Sequence, residues 1–127
     1  MTGSALVVAD VDGHIVHWSA GATELFGHAA DDALGEPVDL IVPAEYRDRH
    51  WAGFRRAMAT GECRLDGAAT NLPTLHRDGT IRVIPGRFDF LVDPRGTPIG
   101  AAAIYAAPAG GEEAWGPIVE LAPASDP

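Results

Sequence analysis

Asp12-Gly13-His14-Ile15-Val16-His17-Trp18-Ser19, continuing as Ala20-Gly21-Ala22-Thr23-Glu24-Leu25-Phe26-Gly27, is the stretch on which the fold turns. Asp-Gly is a strong short-range turn signal, and His14 to Trp18 then alternates as a half-buried strand does. The apolar run Ala5 to Ala9 precedes the turn, so the pair reads as a β-hairpin. Directly afterwards the spacing changes. Ala22, Leu25 and Phe26 share one face of a helix, and Gly27 stands where a C-terminal capping glycine belongs.

Working outward, Asp31-Asp32 opens a further short helix, and the apolar segment Val38 to Val42 ends at Pro43. Proline suits the first turn of a helix, where its missing N–H costs nothing. From Ala44 to about Thr60 the sequence predicts the longest helix, with Tyr46, His50, Gly53, Phe54, Ala57 and Met58 on one face and Gly61 as its stop. The period then returns to two. Leu72 to Leu75 is a strand, Asp78-Gly79 a hairpin turn, and Ile81 to Val92 a long strand; Asp93-Pro94-Arg95-Gly96 turns the chain into a last strand, Ile99 to Tyr105. Two strands, several short helices, one longer helix and three hairpin-connected strands imply an α+β fold. Its sheet is expected to be five-stranded and antiparallel, with the helices on one face.

A chain of 127 residues with 46% hydrophobic and 21% charged side chains suits one core rather than two. Net charge is −9, and every basic side chain is Arg. That balance repels phosphate backbones and anionic lipid, which argues against nucleic acid and membrane partners. The lone Cys63 cannot form an internal disulfide, the N-terminus lacks the features of a signal peptide, and no apolar run reaches membrane-helix length. A cytoplasmic location is the expectation. Residues 108–127 are acidic and rich in Pro, Ala and Gly, and are expected to be a tail, disordered or loosely docked, with Trp115 and Ile118 as its apolar anchors.

The order of these elements, together with Asp12-Gly13, Ile15-Val16-His17-Trp18-Ser19, Ala22-Thr23-Glu24-Leu25-Phe26-Gly27 and the turns Arg77-Asp78-Gly79-Thr80 and Asp93-Pro94-Arg95-Gly96, resembles the PAS family of sensory domains. The resemblance spans about residues 5–107 and implies a sensory domain over 1–107. It departs from the family after the last strand, where Tyr105-Ala106-Ala107-Pro108 replaces the usual acidic-Thr junction into a helical linker. No kinase, cyclase or DNA-binding module is expected to follow. The resemblance therefore implies signalling by association, as a homodimer or with a separate signalling protein.

Pro43-Ala44-Glu45-Tyr46-Arg47-Asp48-Arg49-His50 carries the candidate chemistry. Its Arg-x-x-His is similar to that of haem-binding PAS oxygen sensors, where the histidine is the proximal iron ligand. The resemblance assigns His50 to the iron of b-type haem and Arg47 to the same site, with a diatomic gas (O₂, CO or NO) or redox state as the signal. Neutral imidazole is a suitable axial ligand, and His50 is central on the apolar helix face. The alternative for a buried histidine is a hydrogen bond to a backbone carbonyl. Small residues on the strands, Gly100-Ala101-Ala102-Ala103 and Gly67-Ala68-Ala69-Thr70, leave volume that something must fill, because a cavity costs about 24 cal/mol per Å³. A macrocycle would fill it; so would Trp51, Phe54 and Met58. The cofactor-binding set expected from this reading is His50, Arg47, Phe54, Met58, Thr70, Leu72, Ala102 and Ile104. Arg49 and Arg56 are additional candidates for the propionates, and Thr70 or Asn71 for a weak distal hydrogen bond. The distal wall is otherwise apolar, which favours CO over firmly held O₂. The other histidines lack zinc-site spacing, Cys63 lacks the photoactive flavin motif, and no serine has a nucleophile setting, so an enzyme is not expected. The competing readings are a haem-free module for dimerisation or partner docking, and a binder of another small organic ligand.

Overall fold

The computed structural model of the chain describes residues 4–61, 69–108, 110–111 and 114–115. Chain order is β1 (Ala5–Asp10), β2 (Ile15–Trp18), α1 (Ala20–Phe26), α2 (Ala30–Ala33), 3-10 turns at Val38–Ile41 and Ala44–Tyr46, α3 (Arg47–Thr60), β3 (Ala69–Leu75), β4 (Ile81–Val92) and β5 (Pro98–Tyr105). The five strands form one sheet in the order β2-β1-β5-β4-β3, with every neighbouring pair antiparallel. The expected α+β architecture is therefore present, with the first and last strands side by side at its centre. Ala5 pairs with Tyr105.

Local chemistry fixes the ends of α1. The Ser19 hydroxyl accepts from the backbone N–H of Ala22 (3.2 Å), capping the helix, and from that of Leu6 (2.9 Å), tying the cap to β1. Gly27 closes the helix with φ +88°, its N–H donating to the Thr23 carbonyl at 2.9 Å. A Cβ there would lie 2.8 Å from His76 Cε1, so both the left-handed backbone and the close approach require glycine. Ser19→Ala is expected to cost about 1 kcal/mol, with a further contribution from the Leu6 N–H left without its acceptor. Chemical denaturation measures this; an unchanged midpoint would show that water replaces both bonds.

Two boundaries differ from the sequence reading by three residues. The helix expected from Ala44 begins as a 3-10 turn, closed by the Tyr46 N–H on the Pro43 carbonyl (2.9 Å), and becomes α-helical at Arg47. Strand β3 begins at Ala69 rather than Leu72, because pairing along β4 carries it through Ala69 and Asn71, residues of low strand propensity.

One face of the sheet packs on the helices. Ala5, Val7, Ile15, Trp18, Ala22, Phe26, Ala33, Ile41, Leu72, Ile84 and Tyr105 form a continuous buried cluster, with Phe88 and Ala103 packed against it. Phe26 is its centre, edge-on to Tyr105 at 5.0 Å and tilted against Trp18 at 5.7 Å. Trp18 satisfies its indole N–H on Thr23 Oγ1 (3.1 Å) and the His28 carbonyl (3.0 Å). Among the described residues no helix is long and apolar enough to cross a membrane.

Candidate functional site

His50 lies in the first turns of α3, on the stripe Arg47, His50, Trp51, Phe54, Ala57 and Met58 that turns inward. Ala57 alone on this helix is fully buried; the larger side chains are half-buried. Gly53, expected on this face, is exposed, and Trp51 takes its place. Helix α3 packs on β5 and shares this side of the sheet with α1.

Three rings cluster on the helix. His50 is parallel to Phe54 (6.2 Å, 18° between planes) and edge-on to Trp51 (5.0 Å). The His50 Nδ1 is buried with no hydrogen-bond partner among the described residues. Burial pushes the imidazole pKa down, opposed by the Asp39 carboxylate. The ring is therefore held neutral, the form in which a nitrogen lone pair can ligate.

The segment before α3 is fastened to the same face. Arg47 Nε donates to the Val42 carbonyl (3.0 Å) and its Nη2 to the Asp39 carbonyl (3.3 Å). Trp51 Nε1 donates to Asp39 Oδ1 at 2.5 Å. The indole also lies over the hairpin turn, where a Cβ on Gly13 would come within 2.2 Å of its ring. An open cleft of about 370 Å³ runs beside this contact, lined by Val11, Asp12, Pro37, Asp39, Trp51, Phe54 and Arg55. Of the expected set only Phe54 reaches it.

Strand register decides which strand residues share the His50 side. Leu72 pairs with Ile84 and Thr70 with Gly86; Gly86, Phe88 and Phe90 pair with Tyr105, Ala103 and Ala101. Directly paired residues share a face, so Thr70, Leu72, Ala101 and Ala103 belong to the helix-facing side. Ala102 and Ile104, both named as pocket residues from the sequence, pair with Asp89 and Arg87 and lie on the opposite face. They do not join Thr70 and Leu72 in one site. Asn71, paired with Pro85, is on that opposite face too. The volume beside Ala103 and Ala101 is shared with Phe88 and Phe90, which stand next to them. Leu72 is already in the core cluster.

Arg47 has a structural role: two of its guanidinium donors go to carbonyls of the preceding segment, which it clasps to α3. Arg49 and Arg56 are exposed, and Arg55 stacks on Trp51 at 5.7 Å. Arg87 is on the far face, paired to Asp89 at 3.7 Å. Arg64, Cys63, Gly67, Ala68 and Ile118 lie outside the described residues.

His28 Nε2 is likewise buried without a partner; burial lowers its pKa, reinforced by Arg77 and His76. It sits after α1 against Trp18, away from α3. His76 Nδ1 accepts the Asp78 N–H (3.1 Å), and His17 is exposed on β2. A carboxylate–imidazole group, Asp10, Asp12 and His14, lies at the exposed hairpin turn, where Asp10 Oδ1 already accepts two backbone N–H groups. Sequence reasoning missed Asp39, which acts from a short 3-10 turn that carries no periodic signal, and missed the contacts of Trp51, on α3, with Asp39 and the Gly13 turn. Trp115 returns to the domain, its N–H donating to the Asn71 carbonyl (2.7 Å) and its ring edge-on to Tyr46 (5.9 Å).

A family model described as PAS fold matches residues 2–107. The chain is 32% identical to the sensor protein FixL of Bradyrhizobium diazoefficiens over 60% of its length, and 22% identical to the oxygen sensor protein DosP of Escherichia coli over 63%. It spans 15% and 10% of those relatives. Among solved structures it is similar to a PAS domain from Colwellia psychrerythraea (TM-score 0.67, 24% identity, 80% of this chain and 83% of that one). It is also similar to the RpfR quorum-sensing receptor PAS domain of Cronobacter turicensis in complex with C12:0 (TM-score 0.63, 16% identity, 81% and 91%).

Proposed function

The chain belongs to the PAS fold family, and we propose that within it this domain is a non-catalytic sensor that holds b-type haem through His50 and reports a diatomic gas or redox state. The observation that carries the reading is the buried, unpartnered nitrogen of His50. A buried polar group without a partner costs about 1–3 kcal/mol. Among the described residues Nδ1 has no backbone carbonyl to donate to. Similarity to DosP, an oxygen sensor by name, points the same way, as does the Arg-x-x-His resemblance.

The residues present fit such a group on one side and constrain it on the other. His50 would be the iron ligand, Phe54 and Met58 its apolar flank on α3, and Ala101, Ala103, Phe88 and Phe90 the facing wall of the sheet. Arg49 and Arg56, both exposed on α3, are the cations left for the propionates once Arg47 is engaged. Thr70 and Thr74 carry the hydroxyls on the helix-facing side of β3, and that of Thr74 donates to the Arg82 carbonyl (2.8 Å). Bound haem would supply an iron atom able to take a gas ligand. The chain's own contribution is to keep the imidazole neutral, exclude water with Phe54 and Met58, and offer little polar help on the far wall. Signalling then passes to another chain, a second copy or a separate partner.

Protein purified after expression with haem available is expected to show a Soret band at one haem per chain. Colourless protein that also fails to take up haem on titration would overturn this reading. The RpfR PAS domain in complex with C12:0 supports a second one, in which the half-buried aromatic and Met side chains line a site for an apolar organic ligand without iron. Native mass spectrometry of freshly purified protein separates the two by the mass retained.

A further inference from the structure

We infer that the contact between the end of α1 and the β3–β4 hairpin is an acid-released latch with His28 as its trigger, giving the domain a pH input separate from α3. None of its residues belongs to the α3 site, and haem has no part in it.

The latch itself is backbone. The Arg77 N–H donates to the Phe26 carbonyl at 2.9 Å, so a distant turn supplies a partner for one of the last carbonyls of α1. The hairpin also closes on the next residue. A Cβ on Gly27 would lie 2.8 Å from His76 Cε1, 3.1 Å from His76 Nε2 and 3.0 Å from the Arg77 Cβ. Within the turn, the His76 N–H binds the Thr80 carbonyl and the Gly79 N–H the His76 carbonyl, both at 2.9 Å. The Thr80 N–H binds Asp78 Oδ1, also at 2.9 Å, so the turn holds or releases α1 as a unit.

His28 follows Gly27 directly and is held where it stands. Its carbonyl accepts the Trp18 indole N–H (3.0 Å), and its ring is edge-on to that indole at 6.2 Å. The ring is half-buried, but Nε2 is enclosed and has no hydrogen-bond partner among the described residues. A neutral imidazole can keep its proton on Nδ1. An imidazolium carries N–H on both nitrogens, which places a donor where nothing accepts it. The charged surroundings act in the same sense. Arg77 and His76, from the hairpin, oppose a positive charge on the ring; Asp32, from α2, favours one; Trp18, from β2, is uncharged. Burial first, then Arg77 and His76, hold the imidazole pKa below its ordinary value against Asp32. His76 has what His28 lacks, a carboxylate oxygen of Asp78 at 3.2 Å from its Nδ1. A protonated His76 is thereby retained beside Gly27, and with Arg77 sets two cations against His28. Because the folded pKa of His28 is depressed, the closed joint binds fewer protons than the open one. It is secure above the ordinary histidine value of about 6.5 and weakens as the pH falls below it.

Amide hydrogen exchange reads the latch at the Arg77 N–H. Between about pH 7.5 and about pH 5.5, linkage to one histidine proton raises the opening constant by about tenfold. The Arg77 protection factor is expected to fall by the same about tenfold, while that of the Ala106 N–H, bonded to the Pro85 carbonyl in the sheet, holds. His28→Phe keeps a ring against Trp18 but cannot charge, and His28→Gln covers the case of a poorly folded Phe variant. Each should leave Arg77 protection flat over this range. Arg77→Gln keeps the backbone donor and removes the guanidinium; it should raise the His28 midpoint in an imidazole titration by NMR and shrink the acid response. Arg77 protection that is flat in the wild type, that falls equally in the His28 variants, or that falls together with that of Ala106 overturns the assignment.

Discussion

His50→Ala protein is expected to lose stoichiometric haem binding, whereas His17→Ala and His76→Ala retain it. Changing a group that hydrogen-bonds a metal ligand typically costs about 10–100-fold in affinity, and removing the ligand itself should exceed that. The controls are chosen by environment: His17 is exposed on β2, and the His76 Nδ1 is already an acceptor for the Asp78 N–H in the β3–β4 turn. The fold should survive the change. Deleting the imidazole removes an unsatisfied buried nitrogen, and the inward stripe of α3 is half-buried apart from Ala57. Added free imidazole should restore binding in part by occupying the space vacated. Haem titrations of the three variants decide the matter, and undiminished uptake by His50→Ala would falsify the proposed ligation.

The largest effect on stability is expected from Phe26→Ala. Phe26 is fully buried between the Trp18 and Tyr105 rings, where α1 meets the central strands. Large-to-small changes of this kind cost about 3–5 kcal/mol, the transfer term plus the cavity left behind. A domain of this size has about 5–15 kcal/mol in total, so one substitution takes a large share. At about 4 °C per kcal/mol the melting temperature should fall by about 12–20 °C. Phe26→Leu, which keeps most of the volume, should lose far less. A fall of only a few degrees in the alanine variant would mean that Trp18 and Tyr105 close the gap, and a crystal structure of it would show them displaced.

Features legible in the sequence are those whose cause is local. Asp12-Gly13, Gly27, Asp78-Gly79 and Asp93-Pro94-Arg95-Gly96 each punctuate the chain where the structure does, because turn and cap geometry depends on a few consecutive residues. The apolar spacing of α3 likewise placed His50, Phe54 and Met58 on its inward stripe. Features that depend on distant partners were not legible. Which of Ala101 to Ile104 face the helices is set by register against β1 and β4, and a shift of one residue reverses the answer. Arg47 reads as a free cation in a basic stretch, yet its guanidinium is taken by carbonyls at Val42 and Asp39, in a segment with no repeating pattern. Trp51 falls at the margin of the helical stripe and owes its position to a contact with Gly13 far upstream.

The pairing of Ala5 with Tyr105 carries a consequence of a different kind. Opposed Cα atoms in an antiparallel ladder are about 4.5–5.5 Å apart, so the polypeptide enters and leaves the sheet at almost the same point. Seen from outside, the whole intervening sequence is a loop whose two feet touch. Such a unit can be spliced into a longer polypeptide without separating the segments on either side, in the way that an inserted domain is tolerated at a surface turn. Because both feet belong to the central strands β1 and β5, a change in sheet twist would reach the two flanks together and rotate one against the other, giving the domain a lever with a single fulcrum.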